Sequence, residues 1–462
     1  MLKRIILAAN EEFDTAMLGR KGVLDPDVVT SAAAIVGEVR KRGDEALREF
    51  CRRFDRVEID DFRVPESSIE AAFEQLDDEL LESLEYAADN IWDFHSRQLT
   101  ESWFNPRQDG AFLGSKVTPL DSVGIYVPGG RAQYPSTVLM NAIPAKVAGV
   151  ERVIMCTPPQ KDGGIDPCTL AAARIAGVDE IYRVGGAQAI AALAYGTESI
   201  PAVDKITGPG NAYVAAAKKI VSGDVGIDMI AGPSEVCVLA DHSADPRLVA
   251  IDLMAQAEHD PQASCYLICG SEDFVDKVEA NIEDFLAQTT REEITRTSLS
   301  TKGLAVVVPS LSQAFDVANV IAPEHLELQI ANPLEYLHLV RHAGAIFMGE
   351  FTPESVGDYV AGPNHTLPTG GSARFSSPLS VEDFIKRSSV ISYSPTALAL
   401  DAKAIMRIAR QEGLWAHARA VEVRMDDMQG LAEFIDTLVE QEAHGHHHHH
   451  HHDGCGCGCD HD

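Results

Sequence analysis

Over the first hundred residues, apolar positions recur at helical spacing. Val28, Ala32, Ile35, Val36 and Val39 form one stripe behind Asp25-Pro26, an N-cap with proline in the first turn. A second helical region, rich in Glu, Leu and Ala, runs from about Pro65 to His95, so residues 1 to about 115 read as mostly helical. The pattern changes near Asp121. Short β-rich runs now end in Gly or Pro and give way to Ala-rich helical stretches. Val123 to Val127 runs into Pro128-Gly129-Gly130, and Val153 to Cys156 into Thr157-Pro158-Pro159. Glu180 to Val184 runs into Gly185-Gly186, and Lys205 to Thr207 into Gly208-Pro209-Gly210, ahead of the helix Ala212 to Val221. Repeated strand–turn–helix units predict a parallel sheet covered on both faces. Residues 121 to about 235 read as one Rossmann-like unit.

A second α/β region follows. It has strands at Val236 to Ala240, Cys265 to Cys269 and Leu304 to Val308, and helices at Arg247 to Glu258, Phe274 to Leu286 and Ser310 to Val320. Pro333 to Leu339 also reads as helical. Phe351 to Pro378 is a long Gly/Pro/Ser-rich stretch, a kind of segment that is usually functional or disordered. A helix from about Pro395 to Arg410 stops at Gly413, and another starts near Trp415.

Composition narrows the class. With 462 residues, 45% hydrophobic and 23% charged, the chain is an ordinary globular protein of about three domains. Lys plus Arg is 38 against 70 Asp plus Glu, a net charge of -32, which disfavours nucleic acid and anionic membranes as partners. The apolar run Ile5 to Ala9 is too short for a signal peptide. The last 19 residues, His444 to Asp462, hold nine of the 17 His and three of the nine Cys. The six Cys of the body are scattered without zinc-ribbon or disulfide spacing, so a cytoplasmic location is expected. The tail, with seven consecutive His and three Cys alternating with Gly, will bind zinc, nickel or copper in almost any conformation. A native metal-handling tail and a purification tag both fit it.

Several groups have chemical potential, each beside a plainer reading. Gly208-Pro209-Gly210-Asn211 opens a helix after a strand, which suits a phosphate, but Tyr213 stands where a full GxGxxG motif has its third Gly. Gln256 and His259 share a helical face and suit a metal or a surface cap. Glu324-His325, read here as a loop-to-helix entry, pairs a carboxylate with an imidazole for acid–base work or merely starts a helix. Asp358, Asn364 and His365 line a site or a solvated linker. Glu412 and His417 pass for helix-surface residues. His338 and His342, lacking the Glu of HExxH, read as surface histidines, and Cys265 and Cys269 as buried thiols. Cys156, at a strand end, offers a thiol alternative for aldehyde chemistry, although nothing in VIMCTPP suggests an activated thiolate.

Taken in order, VGIYVPGG, YPSTVLMNAIPAKVAGV, VGGAQAIAALAYGT, VDKITGPGNAYVAAAK, DMIAGPSEV, AQAEHDP, APEHLEL, VGDYVAGPNHTLPTGG and EGLWAHARAV resemble the histidinol dehydrogenase family over roughly residues 20 to 430. The resemblance implies an α/β fold of two Rossmann-like parallel-sheet domains, aldehyde-dehydrogenase-like, with helical N- and C-terminal segments. It implies oxidation of L-histidinol to L-histidine through L-histidinaldehyde with two NAD+, by a homodimer with shared active sites and one zinc ion per subunit. By the matching motifs, the zinc ligands are Gln256, His259, Asp358 and His417, and the catalytic pair is Glu324 and His325. Substrate contacts come from Ser234, His365 and Glu412, together with His325 and the four metal ligands. NAD+ contacts come from Tyr126, Gln188 and Asn211. Glu412 and His417 serve the partner's site. The corresponding plan has an N-terminal helical segment (1–24), a first α/β domain (25–120 and 236–380), a second Rossmann-like domain (121–235), a C-terminal dimerisation segment (381–440) and a disordered tail (441–462). Two rivals stand beside this reading: a related zinc and NAD dehydrogenase for another small alcohol, and a metal store whose function lies in the tail.

Overall fold

Two parallel sheets organise most of the chain. The computed structural model describes residues 1–18, 24–129 and 133–426. Gly130, residues 19–23 of the N-terminal segment, the end of the C-terminal segment from 427, and the tail 441–462 lie outside the described residues. The chain divides into one unit of Met1–Leu99 with Pro119–Lys386, and another of Thr100–Thr118 with the residues from Arg387 onward.

In the first unit, a five-stranded parallel sheet has the order Glu180–Arg183, Arg152–Thr157, Ser122–Tyr126, Lys205–Thr207, Gly226–Ile227. Its central strands, Arg152–Thr157 and Ser122–Tyr126, are buried on both faces except at their first residues, as cover by helices requires. Val153 and Met155 join one core with the helices Pro135–Ala148 and Pro167–Ile175. Ile154 and Cys156 join the opposite core with Gly186–Tyr195 and Ala212–Val221.

The same two cores take up the N-terminal helices. Ala32, Val36, Val39 and Leu47 pack with Ile190 and Val214, and Leu84, Ala87 and Ile91 pack with Leu139 and Met155. This corrects the domain plan drawn from sequence: residues 26–96 cover the sheet of residues 122–227, not the one that follows. Helical periodicity identifies the buried stripe but not the surface that covers it.

The second sheet has six parallel strands in the order Lys3–Ile6, Leu304–Val307, Ser264–Cys269, Glu235–Ala240, His325–Gln329, Ala345–Met348. Lys3–Ile6 overturns the helical reading of residues 1–24. Leu2 and Leu7 are buried, and the strand pairs in register with Leu304–Val307. The expected α/β class with two parallel sheets is otherwise borne out.

The second unit contains an antiparallel hairpin, Trp103–Pro106 with Phe112–Pro119, another departure from the helical reading to residue 115. Phe104 and Phe112 stack with ring centroids 5.2 Å apart. Strand Ile385–Ser392 completes this sheet, and helices Pro395–Gln411 and Trp415–Asp426 pack on one another across Gly413, whose φ of +75° ends the first of them. Among the described residues, no helix is long and apolar enough to cross a membrane.

Candidate active site

The segment His325-Leu326-Glu327-Leu328-Gln329 is a fully buried strand, not a helix entry. Helix Leu311–Ile321 ends at Ala322, whose φ is +49°, and the strand begins three residues later. Two-residue alternation sends Leu326 and Leu328 to an apolar core. His325, Glu327 and Gln329 share the other face, which meets polar residues of helix Pro246–Ala257. Gln256 Oε1 lies 3.1 Å from His325 Nδ1, and Gln329 donates to Asp252 at 3.1 Å. Asp252 and Glu327 are themselves hydrogen-bonded, and burial, then the charge of Asp252, pushes the Glu327 carboxyl well above its ordinary range.

His325 is 4% exposed, and its Nδ1 also lies 3.1 Å from the Glu235 carbonyl. Both neighbours of Nδ1 are acceptors, so Nδ1 carries the hydrogen and Nε2 keeps its lone pair. Burial lowers its pKa to about 3, so the ring is neutral. Glu324, also buried, accepts from the Glu235 amide at 2.9 Å and from the Ser234 side chain. Burial and the charges of Glu235 and Asp358 hold its carboxyl well above the carboxylate range. A neutral imidazole and a carboxyl of raised basicity suit general acid–base work.

Beside this pair lie His259, Glu354 and Asp358, whose ligand atoms all fall within 4.8 Å of one another. His259 projects from the turn after the helix that carries Gln256, and Glu354 and Asp358 are one turn apart on helix Glu354–Tyr359. Burial raises Asp358 to about 7. An imidazole and two carboxylates crowded together fit a divalent ion such as zinc. Two of the four ligands proposed from sequence, His259 and Asp358, thus stand together, with Gln256 next to them against His325. Glu354 was missed. Its signal was the i, i+4 spacing to Asp358, hidden because the segment read as an irregular polar stretch.

The rest of that stretch ties the two sheets together. Thr369 accepts from the Gly232 amide at 2.6 Å, while Asn364 donates to the Met140 carbonyl at 2.5 Å. His365 follows Asn364; burial lowers its pKa to about 4. Asn364 also reaches the fully buried His95, whose Nε2 is 3.5 Å from the Asn364 amide nitrogen and whose Nδ1 is 2.8 Å from Gln98 Oε1. That arrangement needs a neutral ring, and burial lowers the His95 pKa. The unfolded chain binds the proton below about pH 6.5, so His95 makes stability fall on acidification, at up to about 1.4 kcal/mol per pH unit. Thermal melts at pH 7 and pH 5.5 should therefore show a smaller acid-induced drop in Tm for His95→Gln than for the wild type.

The five-stranded sheet offers a different kind of site. Its chain order reverses between Ser122–Tyr126 and Lys205–Thr207, and ligands bind outside the carboxyl ends of strands at such a point. Tyr126 stands at one of these ends, Gly208 and Asn211 just past the other. The Tyr126 hydroxyl accepts from the Gly186 amide at 3.0 Å, at the start of the helix that holds the buried Gln188. Asn211 caps helix Ala212–Val221, accepting from Tyr213 and Val214 amides at 3.0 and 3.2 Å. Gly208 has φ +112°, and a Cβ there would lie 2.1 Å from the Tyr126 carbonyl oxygen. A buried Lys218–Asp228 ion pair holds this turn: Lys218 donates to the Gly208 carbonyl at 2.9 Å, and Asp228 accepts from its amide at 2.8 Å. The catalytic candidates obey the opposite rule, since Ser234, Glu324 and His325 stand at the amino ends of strands in the six-stranded sheet.

Glu412 and His417 lie in the second unit, both exposed, at the C-cap of one helix and within the next. Cys156 is fully buried and burial pushes its thiol far up, so a thiolate nucleophile is disfavoured. His338 is exposed, and Cys265 and Cys269 are buried, as expected.

A family model described as histidinol dehydrogenase matches residues 19–425. Histidinol dehydrogenase of Geobacillus kaustophilus is 53% identical over 425 residues, 92% of this chain and 97% of that protein. The enzyme of Halalkalibacterium halodurans is 52% identical over 85% of this chain and 93% of its own. The crystal structure of histidinol dehydrogenase from Elizabethkingia anophelis superposes with a TM-score of 0.86 at 36% identity, covering 92% of this chain and 98% of that one.

Proposed function

Because the chain belongs to the histidinol dehydrogenase family, we propose that it oxidises L-histidinol to L-histidine in two hydride transfers to NAD+, by way of L-histidinaldehyde, in histidine biosynthesis. The observation that carries this is a buried carboxyl and a neutral imidazole, Glu324 and His325, next to the His259–Asp358 group. Zinc, one ion per subunit, held by Gln256, His259, Asp358 and His417, supplies a fixed point for the substrate's nitrogen donors, and NAD+ accepts the hydrides.

In the first step His325 Nε2 takes the alcohol proton as hydride leaves the carbinol carbon. Its Nδ1 hydrogen stays on the Glu235 carbonyl, which holds the ring in the required tautomer. In the second, Glu324 draws a proton from the water that adds to the aldehyde while His325 returns its proton to the carbonyl oxygen, and His325 then accepts a proton from the resulting hydrate as the second hydride leaves. Ser234, His365 and Glu412 orient the substrate. Tyr126, Gln188 and Asn211 line the NAD+ site at the reversal point of the five-stranded sheet. Glu412 and His417 act in the site of the other subunit of a homodimer, and the protein works in the cytoplasm. The tail takes up additional zinc, nickel or copper.

The test is stoichiometric. Limiting L-histidinol with excess NAD+ and zinc should yield two NADH per histidinol, lost on chelation and restored by zinc. One NADH would remove the aldehyde step. None, from a folded and zinc-loaded dimer, would point to another small alcohol as substrate.

A further inference from the structure

We propose that His95 is a positioning residue for the reaction: through Asn364 it holds His365 in the orientation that meets the substrate. This rests on the reading of His365 as a substrate contact.

His365 lies between two buried residues whose side chains are tied to helix Pro135–Ala148. Asn364 donates to the Met140 carbonyl, and the Thr366 hydroxyl accepts from the Asn141 side chain at 3.4 Å. Asn364 also accepts from the Thr366 amide at 2.9 Å, so its side chain closes over the His365 peptide. His365 itself is less buried than either neighbour, and its ring is coupled by charge to His325 and His259. The segment is thus anchored through Asn364 and Thr366, while His365 faces the candidate site.

The direction of the hydrogen bonds along the line Val381–Gln98–His95–Asn364 follows from backbone groups at its two ends. The Val381 amide donates to Gln98 Oε1 at 3.1 Å, which fixes that atom as the oxygen. The same oxygen lies 2.8 Å from His95 Nδ1, so the ring carries its hydrogen there and keeps the lone pair on Nε2. At the other end, the Thr366 amide and the Met140 carbonyl fix which atom of Asn364 is the nitrogen. That nitrogen faces His95 Nε2 at 3.5 Å, donor toward lone pair. The two ends therefore agree. Asn364 has two amide hydrogens, one directed at Met140 and one at His95. Without an acceptor at position 95 the second is left buried and unpaired, and Asn364 gains by swinging off the His365 peptide toward another partner.

A kinetic double-mutant cycle on the full, zinc-loaded chain tests this. His95→Phe keeps a ring but has no lone pair, and it should lower kcat/KM for L-histidinol by about tenfold or more, with KM for NAD+ unchanged. In a His365→Ala background the same substitution should lower kcat/KM by no more than about twofold, because the residue it acts through is gone. His95→Gln, whose amide oxygen can accept from Asn364, should recover most of the loss. An equal fold-loss with and without His365 overturns the proposal, since His95 would then act by general loosening. So does an unchanged kcat/KM in His95→Phe, and so does a loss in His95→Gln as deep as in His95→Phe. Wild-type efficiency in His365→Ala alone removes the substrate-contact reading, and the proposal with it. Asn364→Ser shortens the link from the other side and should show the same dependence on His365, so it carries the cycle if His95→Phe fails to fold.

Discussion

Replacing His325 with alanine is expected to slow NADH formation from L-histidinol by about 10²–10⁴-fold, the range associated with a positioned general base. The loss should fall on kcat, because the imidazole accepts a proton only as the reaction proceeds. Zinc content should stay near that of the wild type, since none of the proposed metal ligands is removed. The substitution also frees the Glu235 carbonyl and the Gln256 amide, two groups that now converge on Nδ1. His325→Asn is therefore the companion variant: it retains a hydrogen-bonding side chain but not a basic nitrogen. Comparable losses in both variants, measured by steady-state kinetics with metal analysis, identify proton transfer as the missing function. Near-wild-type turnover in His325→Asn would remove His325 as the base.

Glu324→Gln should separate the two oxidations. A glutamine oxygen can still accept from the Glu235 amide, so the buried contact at 2.9 Å survives. What disappears is the group that takes a proton from water. Alcohol oxidation should proceed while aldehyde oxidation slows by about 10²–10⁴-fold. NADH yield should approach one per histidinol on the time scale of the first step, with the aldehyde trapped by a carbonyl reagent. Two NADH at an unchanged rate would show that Glu324 does not activate the water.

The five-stranded sheet was legible because its signals are local. Gly208 must be glycine for backbone reasons, and the apolar runs at residues 123–127 and 153–156 carry their own strand signature. The strand at His325 was misread because Glu327 and Gln329 are polar yet buried, and their partners Asp252 and Glu354 are remote in sequence. Nothing in a single stretch reveals that such groups will satisfy one another. Lys3–Ile6 is too short for a periodicity, and its strand character comes from Leu304–Val307. Pattern singled out His259, by its spacing from Gln256, and Asp358, by its place in the polar stretch, but only the family resemblance joined them as ligands of one ion. Glu354, absent from that resemblance, became visible only when the polar stretch folded into a helix.

The pairing of Lys3 with Leu304 also sets a timetable for the nascent chain. At about 5–20 residues per second, the ribosome makes the edge strand some 15–60 s before its partner. During that interval Ile5 and Leu7 have no sheet to join, whereas the sheet of residues 122–227 can assemble soon after its last strand emerges. The face that carries Glu324 and His325, built on strands 235–240 and 325–329, is thus a late product of synthesis, formed after the five-stranded sheet is already in place.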